Sequence, residues 1–227
     1  MSAPVLVITG ASSGIGVATA RQAAGRGWRL VLAARTGHAL DELAAELGGA
    51  ATARAARCDV TDWDQVSALP ALALDAFGRL DAVFANAGVF IPTSFLRGTG
   101  TPQEWREMVL TNVYGTALTA RAALPHLILT GSVSGRVIVP GQLYSATKWA
   151  VTAIAQSIRA EAAGTGVRVT LIQPGLTDAG TTSPDRAREP KLAPGDVARA
   201  VMFALEQPAS VDVNEIVVRP TGQRPDR

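Results

Sequence analysis

Metal-ligating and redox-active side chains are scarce in this chain of 227 residues, which holds one cysteine, Cys58, and two histidines, His38 and His126. A lone cysteine excludes an internal disulfide and offers no cluster for zinc or iron–sulfur, in keeping with a reducing compartment. The histidines are too few for a typical catalytic metal site. Charged residues make up only 18% of the chain, and its arginines are scattered, not massed. With a formal net charge of +2, that scatter argues against a nucleic-acid partner. Long apolar runs are also missing. Met1 leads into Val5-Leu6-Val7-Ile8 with no basic leader and no stretch long enough to span a bilayer. The expected location is cytoplasmic, with no membrane partner.

What is present is a patterned apolar chain: 48% of residues are hydrophobic and the mean hydropathy is positive. Strand-like runs are expected at Val5–Thr9, Leu30–Ala34, Ala53–Cys58, Ala82–Ala85, Ile128–Gly131, Val167–Ile172 and Glu215–Val218. Helical spacing falls between them, at His38–Leu47, Gln103–Leu124, Ser145–Ala162 and Pro194–Glu206. Strands alternating with helices throughout imply an α/β fold, a doubly wound parallel sheet of about seven strands with helices on both faces. We expect one Rossmann-type catalytic domain over residues 1–222 and a frayed polar tail over 223–227. The segment Asp178–Lys191, rich in Gly, Thr, Pro, Asp and Arg, reads as a loop able to cover a ligand, or simply as a solvated one.

The first strand runs into Thr9-Gly10-Ala11-Ser12-Ser13-Gly14-Ile15-Gly16, followed at once by a helical pattern. Glycines placed there allow a sharp turn and bring backbone N–H groups and a helix N-terminus up to a pyrophosphate. The spacing Gly-x-x-x-Gly-x-Gly is wider than the usual dinucleotide fingerprint. An NAD site presents a carboxylate to the ribose 2′-hydroxyl at the end of the second strand. Here that strand ends Ala33-Ala34-Arg35. No carboxylate is there to repel a 2′-phosphate, and the Arg35 guanidinium can pair with one, so the expected cofactor is NADP(H). Arg35 could otherwise be a solvated strand-end arginine.

Tyr144-Ser145-Ala146-Thr147-Lys148 places a phenol and an ammonium four residues apart, on one face of a helix. A phenol with a pKa of about 10 is a poor base at neutral pH unless a cation stabilises its phenolate.

Together with the glycine loop and this pair, Asp59-Val60, Asn86-Ala87-Gly88, Asn112, Ser132 and Pro174-Gly175 follow in an order that closely resembles the short-chain dehydrogenase/reductase family, in its compact single-domain branch. The resemblance covers essentially the whole chain. It implies that Tyr144 exchanges a proton with the substrate oxygen while the nicotinamide exchanges a hydride with its carbon. Ser132 would hydrogen-bond that oxygen. Lys148 would bind the nicotinamide ribose and lower the tyrosine pKa, and Asn112 would hold a water joining Lys148 to solvent. Asp59 and Val60 would meet the adenine, although Asp59 also suits a helix cap. Asn86, Ala87 and Gly88 would pack on the cofactor ribose, and Pro174, Gly175 and Thr177 would flank the nicotinamide.

The chain departs from the family in three places. The family often has a threonine a few residues past Pro174-Gly175, where this chain has Leu176-Thr177-Asp178-Ala179. The passage from Leu124 to Ser132 is several residues shorter than usual. The interval from Ser132 to Tyr144 is about one residue shorter, with Ser134 a less well placed alternative.

The implied activity is an NADP(H)-dependent oxidoreductase of the ketoreductase type acting on a small carbonyl or secondary alcohol. The rivals are a sugar-nucleotide epimerase on the same fold and an idle NADP(H)-binding sensor. Apolar segments Val89–Phe95 and Val133–Val139 would line a pocket for a hydrophobic substrate. The two long helices carry apolar residues, including Trp149 and Ile154, that suit a homo-oligomer, a dimer or homotetramer.

Overall fold

The computed structural model describes residues 2–122, 126–178 and 188–224. Seven strands, β1 (Val5–Thr9), β2 (Arg29–Ala34), β3 (Ala53–Arg57), β4 (Ala82–Ala85), β5 (His126–Thr130), β6 (Arg168–Pro174) and β7 (Glu215–Val218), form one sheet in the order β3-β2-β1-β4-β5-β6-β7. Every pairing is parallel. Side chains alternate along each strand, so both faces are apolar. From β1 and β2, Leu6, Ile8, Leu30, Leu32 and Ala34 join one buried cluster, whereas Val5, Val7, Val31 and Ala33 join the other.

Helices α1 (Gly14–Gly25), α2 (Gly37–Glu46) and α7 (Pro194–Leu205) close the first face. Helices α3 (Trp63–Phe77), α5 (Thr116–Ala122) and α6 (Leu143–Glu161) close the second. Chain order reverses between β1 and β4, and the carboxyl ends of these strands flank the crevice in which an open α/β sheet holds a ligand.

Sequence and structure differ at several boundaries. β6 runs on to Pro174 because Gln173 and Pro174 pair with Val217 and Val218 of β7. β5 starts at His126, two residues before the expected start, because His126 and Leu127 pair with Arg168 and Val169. The expected helix over Gln103–Leu124 divides into α4 (Pro102–Val109), a π turn (Leu110–Gly115) and α5. Two threonine hydroxyls reach back four residues inside it, Thr116 to the carbonyl of Asn112 at 2.7 Å and Thr119 to that of Gly115 at 2.8 Å. Leu124 and part of the short passage to Ser132 lie outside the described residues, as does most of the Asp178–Lys191 loop.

The expected tail needs correcting at its start. Gln223 is docked: its Oε1 accepts the Leu176 N–H at 3.3 Å and sits where a side chain on Gly175 would have to go. A polar residue at a chain end looks free in sequence, but a backbone donor left over beyond β6 captures it.

Candidate active site

The phosphate loop is shaped by what glycine permits. Gly10 has φ +66°, and a Cβ there would stand 2.8 Å from Cα of Ala87; one on Gly16 would stand 2.2 Å from the Gly10 carbonyl oxygen. The loop therefore lies directly against the Asn86-Ala87-Gly88 segment, and only glycines allow it. Beyond it, the first turn of α1 carries no acidic side chain, and Ser13 does not cap the helix with its own hydroxyl. The leading N–H groups and the Ser12 and Ser13 hydroxyls at this positive helix end suit an anion. Ile15 packs on the α1, α2 and α7 cluster and anchors the loop from below.

At the end of β2, Ala34 is buried where an acid would stand in an NAD site. Arg35 is exposed, and its Nη1 donates to Oε1 of Glu107 on α4 at 3.0 Å. At the end of β3, Asp59 Oδ1 accepts from the Thr61 N–H at 2.9 Å and its hydroxyl at 2.8 Å. Asp59 is therefore not the cap of α3; Asp62 is, accepting from Asp64 and Gln65. Val60 is buried against Gly115, where any side chain would collide with it. An open recess of about 460 Å³ lies beside Asp59 and borders the first turn of α3, with neither Tyr144 nor Lys148 in its lining.

Asn86 staples three strands. Its Nδ2 donates to the carbonyls of Thr9 (3.1 Å) and Gly10 (3.3 Å), and its Oδ1 accepts the Thr130 hydroxyl at 3.1 Å. Thr9 Oγ1 in turn accepts the backbone N–H groups of Asn86 and Ala87. The amide that the resemblance aimed at a cofactor ribose is thus spent on the walls of the crevice.

Asn112, in the π turn, is fully buried. Its Oδ1 accepts the Val89 N–H at 2.8 Å, and its Nδ2 donates to the Val89 carbonyl at 2.9 Å and to Thr147 Oγ1 at 3.1 Å. The side chain is taken up by protein through both its oxygen and its nitrogen, and the Asn112 carbonyl accepts the Thr116 hydroxyl. Gly88 faces this asparagine, and a Cβ on it would stand 3.2 Å from Asn112 Oδ1 and 3.7 Å from Lys148 Nζ.

Tyr144, Lys148 and Ser132 meet at the carboxyl end of β5. Helix α6 carries the first two a turn apart, with the Lys148 ammonium 5.6 Å from the tyrosine ring centre. Lys148 Nζ donates to the Thr130 carbonyl at 2.8 Å. The Phe90 ring meets Tyr144 edge-on, with centroids 5.1 Å apart. The Ser132 hydroxyl faces the Tyr144 phenol closely enough to favour its ionised form, and its Oγ accepts the Ser134 N–H at 3.1 Å. The short interval therefore brings Ser132 to the tyrosine, while Ser134 contributes a backbone donor behind it. Desolvation pushes the Tyr144 phenol up to about 12, opposed by the Ser132 hydroxyl. Desolvation also pulls the Lys148 ammonium down to about 8.

At the end of β6, Pro174 is buried and the Gly175 N–H donates to Val218 at 2.6 Å. Thr177 Oγ1 turns back onto the Gly175 carbonyl at 3.0 Å, and Thr177 bridges to Leu192. Among the described residues, no group of His, Cys, Asp and Glu could hold a metal ion, and no helix is long and apolar enough to cross a membrane.

Three residues that matter here carry no motif in sequence. Thr130 receives the lysine, Glu107 holds Arg35, and Thr93 ties down the start of α6, accepting the Leu143 N–H at 2.7 Å and donating to the Gly141 carbonyl at 2.9 Å. Thr93 lies 50 positions from Leu143, and no local pattern reports such a pairing.

Comparison with known proteins identifies the family. The family model for short chain dehydrogenase matches residues 4–190. An uncharacterized oxidoreductase of Staphylococcus aureus is 40% identical over 226 residues, covering 95% of this chain and 96% of its own. Among solved structures, an alcohol dehydrogenase from the archaeon Thermococcus sibiricus, complexed with 5-hydroxy-NADP, superposes with a TM-score of 0.88 at 31% identity, with 99% of each chain covered. A 3-ketoacyl-(acyl-carrier-protein) reductase from Brucella melitensis, complexed with NADH, gives 0.86 at 26% identity, covering 96% of this chain and 97% of the other. This chain belongs to the short-chain dehydrogenase family of oxidoreductases, on a Rossmann-type sheet.

Proposed function

We propose that this protein is an NADP(H)-dependent oxidoreductase that interconverts a small, largely apolar carbonyl compound and its secondary alcohol, with Tyr144 as the proton donor and acceptor. The observation that carries the reading is the convergence of Ser132, Tyr144 and Lys148 at the end of β5, beside a glycine loop with no room for a Cβ. The cradle fits a dinucleotide: an uncapped helix N-terminus for the pyrophosphate, Asp59 and Val60 toward the adenine, and Ala87, Gly88, Pro174, Gly175 and Thr177 toward the ribose and nicotinamide. When bound, NADP(H) supplies or accepts the hydride.

The residues of the chain handle the proton. Ser132 and Tyr144 hold the substrate oxygen between two hydroxyls. In reduction the phenol gives its proton to the oxygen as charge develops there; in oxidation the phenolate takes it back. Lys148 stabilises that phenolate and, with one donor on Thr130, keeps two for ribose hydroxyls. Phe90 adds apolar wall beside the tyrosine, which suits a hydrophobic substituent.

Titration with NADPH and NADH, for wild type and Arg35→Ala, tests the cofactor assignment. The expected result is NADPH bound at least about tenfold tighter than NADH by wild type, a margin set by a charge-assisted phosphate contact and lost in the variant. Turnover of a carbonyl panel with Tyr144→Phe as control tests the chemistry. A wild type that binds nucleotide but turns over no carbonyl or alcohol would favour a sensor instead.

A further inference from the structure

Arg35, on which the cofactor assignment rests, has a partner in the structure. β2 delivers Arg35 to the rim of the crevice on the face covered by α3 to α6, since it continues the alternation of Val31 and Ala33. There its guanidinium meets a carboxylate: Nη1 donates to Oε1 of Glu107 at 3.0 Å, across 72 positions of sequence. Glu107 is held on an ordered helix, one turn beyond Glu104 of the capping box that starts α4. Both side chains are open to water, at 59% and 42% exposure, and a single N–H···O contact joins them. An exposed, one-point ion pair is worth little and exchanges readily.

We infer that Glu107 sets the strength of NADP(H) recognition by competing with the ribose 2′-phosphate for the Arg35 guanidinium. This rests on the cofactor assignment above. A 2′-phosphate seated on Arg35 must displace the carboxylate or share the guanidinium with it, and sharing puts two anions beside one cation. The same carboxylate costs NAD(H) nothing of this kind, because a 2′-hydroxyl carries no charge. Glu107 thus narrows a preference that Arg35 creates. A carboxylate supplied from α4, absent from the end of β2, tempers the discrimination that an acid at β2 would reverse.

The test is direct binding of NADPH and NADH, followed by calorimetry or nucleotide fluorescence, for wild type, Glu107→Gln, Arg35→Ala and the double variant. Glu107→Gln keeps the size of the side chain and removes its charge. Its melting temperature is compared with wild type to exclude a folding defect. The expected outcome is NADPH binding roughly three- to tenfold tighter, the size of an exposed ion pair plus relief of like-charge repulsion. NADH binding stays unchanged, and the gain shrinks near 1 M salt, where screening acts over about 3 Å. In the Arg35→Ala background the gain disappears. NADPH binding that is unchanged or weakened in Glu107→Gln overturns the proposal, as does a gain that survives in full without Arg35. A wild type that binds neither nucleotide overturns the cofactor assignment as well; one that prefers NADPH but ignores Glu107→Gln overturns only this inference.

Discussion

Tyr144 and Lys148 show how the same burial that makes a site also burdens it. Keeping the ammonium dry pulls it down to about 8, so at neutral pH the folded chain carries a charge it would rather expose. Lys148→Met is expected to abolish alcohol oxidation while stabilising the nucleotide-free protein by about 1–2 kcal/mol, the relief of desolvation less the lost bond to Thr130. A rise in melting temperature of a few degrees, alongside lost turnover, is the readout. Tyr144→Phe should lose at least about a hundredfold in kcat, the contribution of a positioned general acid or base, with NADPH binding retained. His126 is a different case, buried at the start of β5 against Thr170 with its Nδ1 unpartnered, and desolvation pulls it down to about 4. Above pH 6.5, its unperturbed value, the ring is neutral whether the chain is folded or not. As pH falls below that, the unfolded chain takes up a proton that the folded one refuses, so stability is lost down to about pH 4, by up to about 3 kcal/mol. Urea unfolding between pH 7 and 4 should show this slope, and His126→Phe should flatten it.

Helix α6 starts without a capping side chain of its own, since Gln142 makes no such bond; the Thr93 hydroxyl stands in from a distant loop. Tyr144 is the second residue of that helix, so the anchor also sets the height of the phenol above the sheet. Thr93→Val keeps the shape and leaves the Leu143 N–H and the Gly141 carbonyl unpaired, at a cost of about 1–3 kcal/mol. The expected kinetic signature is a fall in kcat with NADPH affinity unchanged, restored by Thr93→Ser. The π turn makes a related point. The apolar and Ala-rich pattern of 103–124 promised a helix, which the described residues to Ala122 form, but it widens at 110–115, where two threonine hydroxyls bond back to the chain and Val60 lies against Gly115. Periodicity registers the helical face and is blind to such inserted contacts.

Among the exposed apolar side chains, Val109, Tyr114 and Trp149 lie on α4, the π turn and α6, and Phe203 and Val217 on α7 and β7. Surfaces of this kind rimmed by polar residues are typical of subunit contacts. We expect a homo-oligomer, built first across the α4 to α6 face. Light scattering at micromolar concentration should give a dimer or tetramer mass, and Trp149→Glu should lower it; a wild-type monomer would contradict the assembly.

Strand and helix order, the glycine loop, the Tyr144/Lys148 spacing and the missing acid after β2 were legible in the chain, because each depends on local periodicity or on residues a few positions apart. The structure alone revealed that Asn86 and Asn112 spend their side chains on protein, that Ser132 reaches Tyr144 across a shortened interval, and that Gln223 docks just beyond β6. It alone paired Arg35 with Glu107 and Thr93 with Leu143. All of these are hydrogen-bond and charge assignments between distant segments, and sequence spacing carries no information about which distant partner satisfies a given donor or acceptor until the sheet has brought them together.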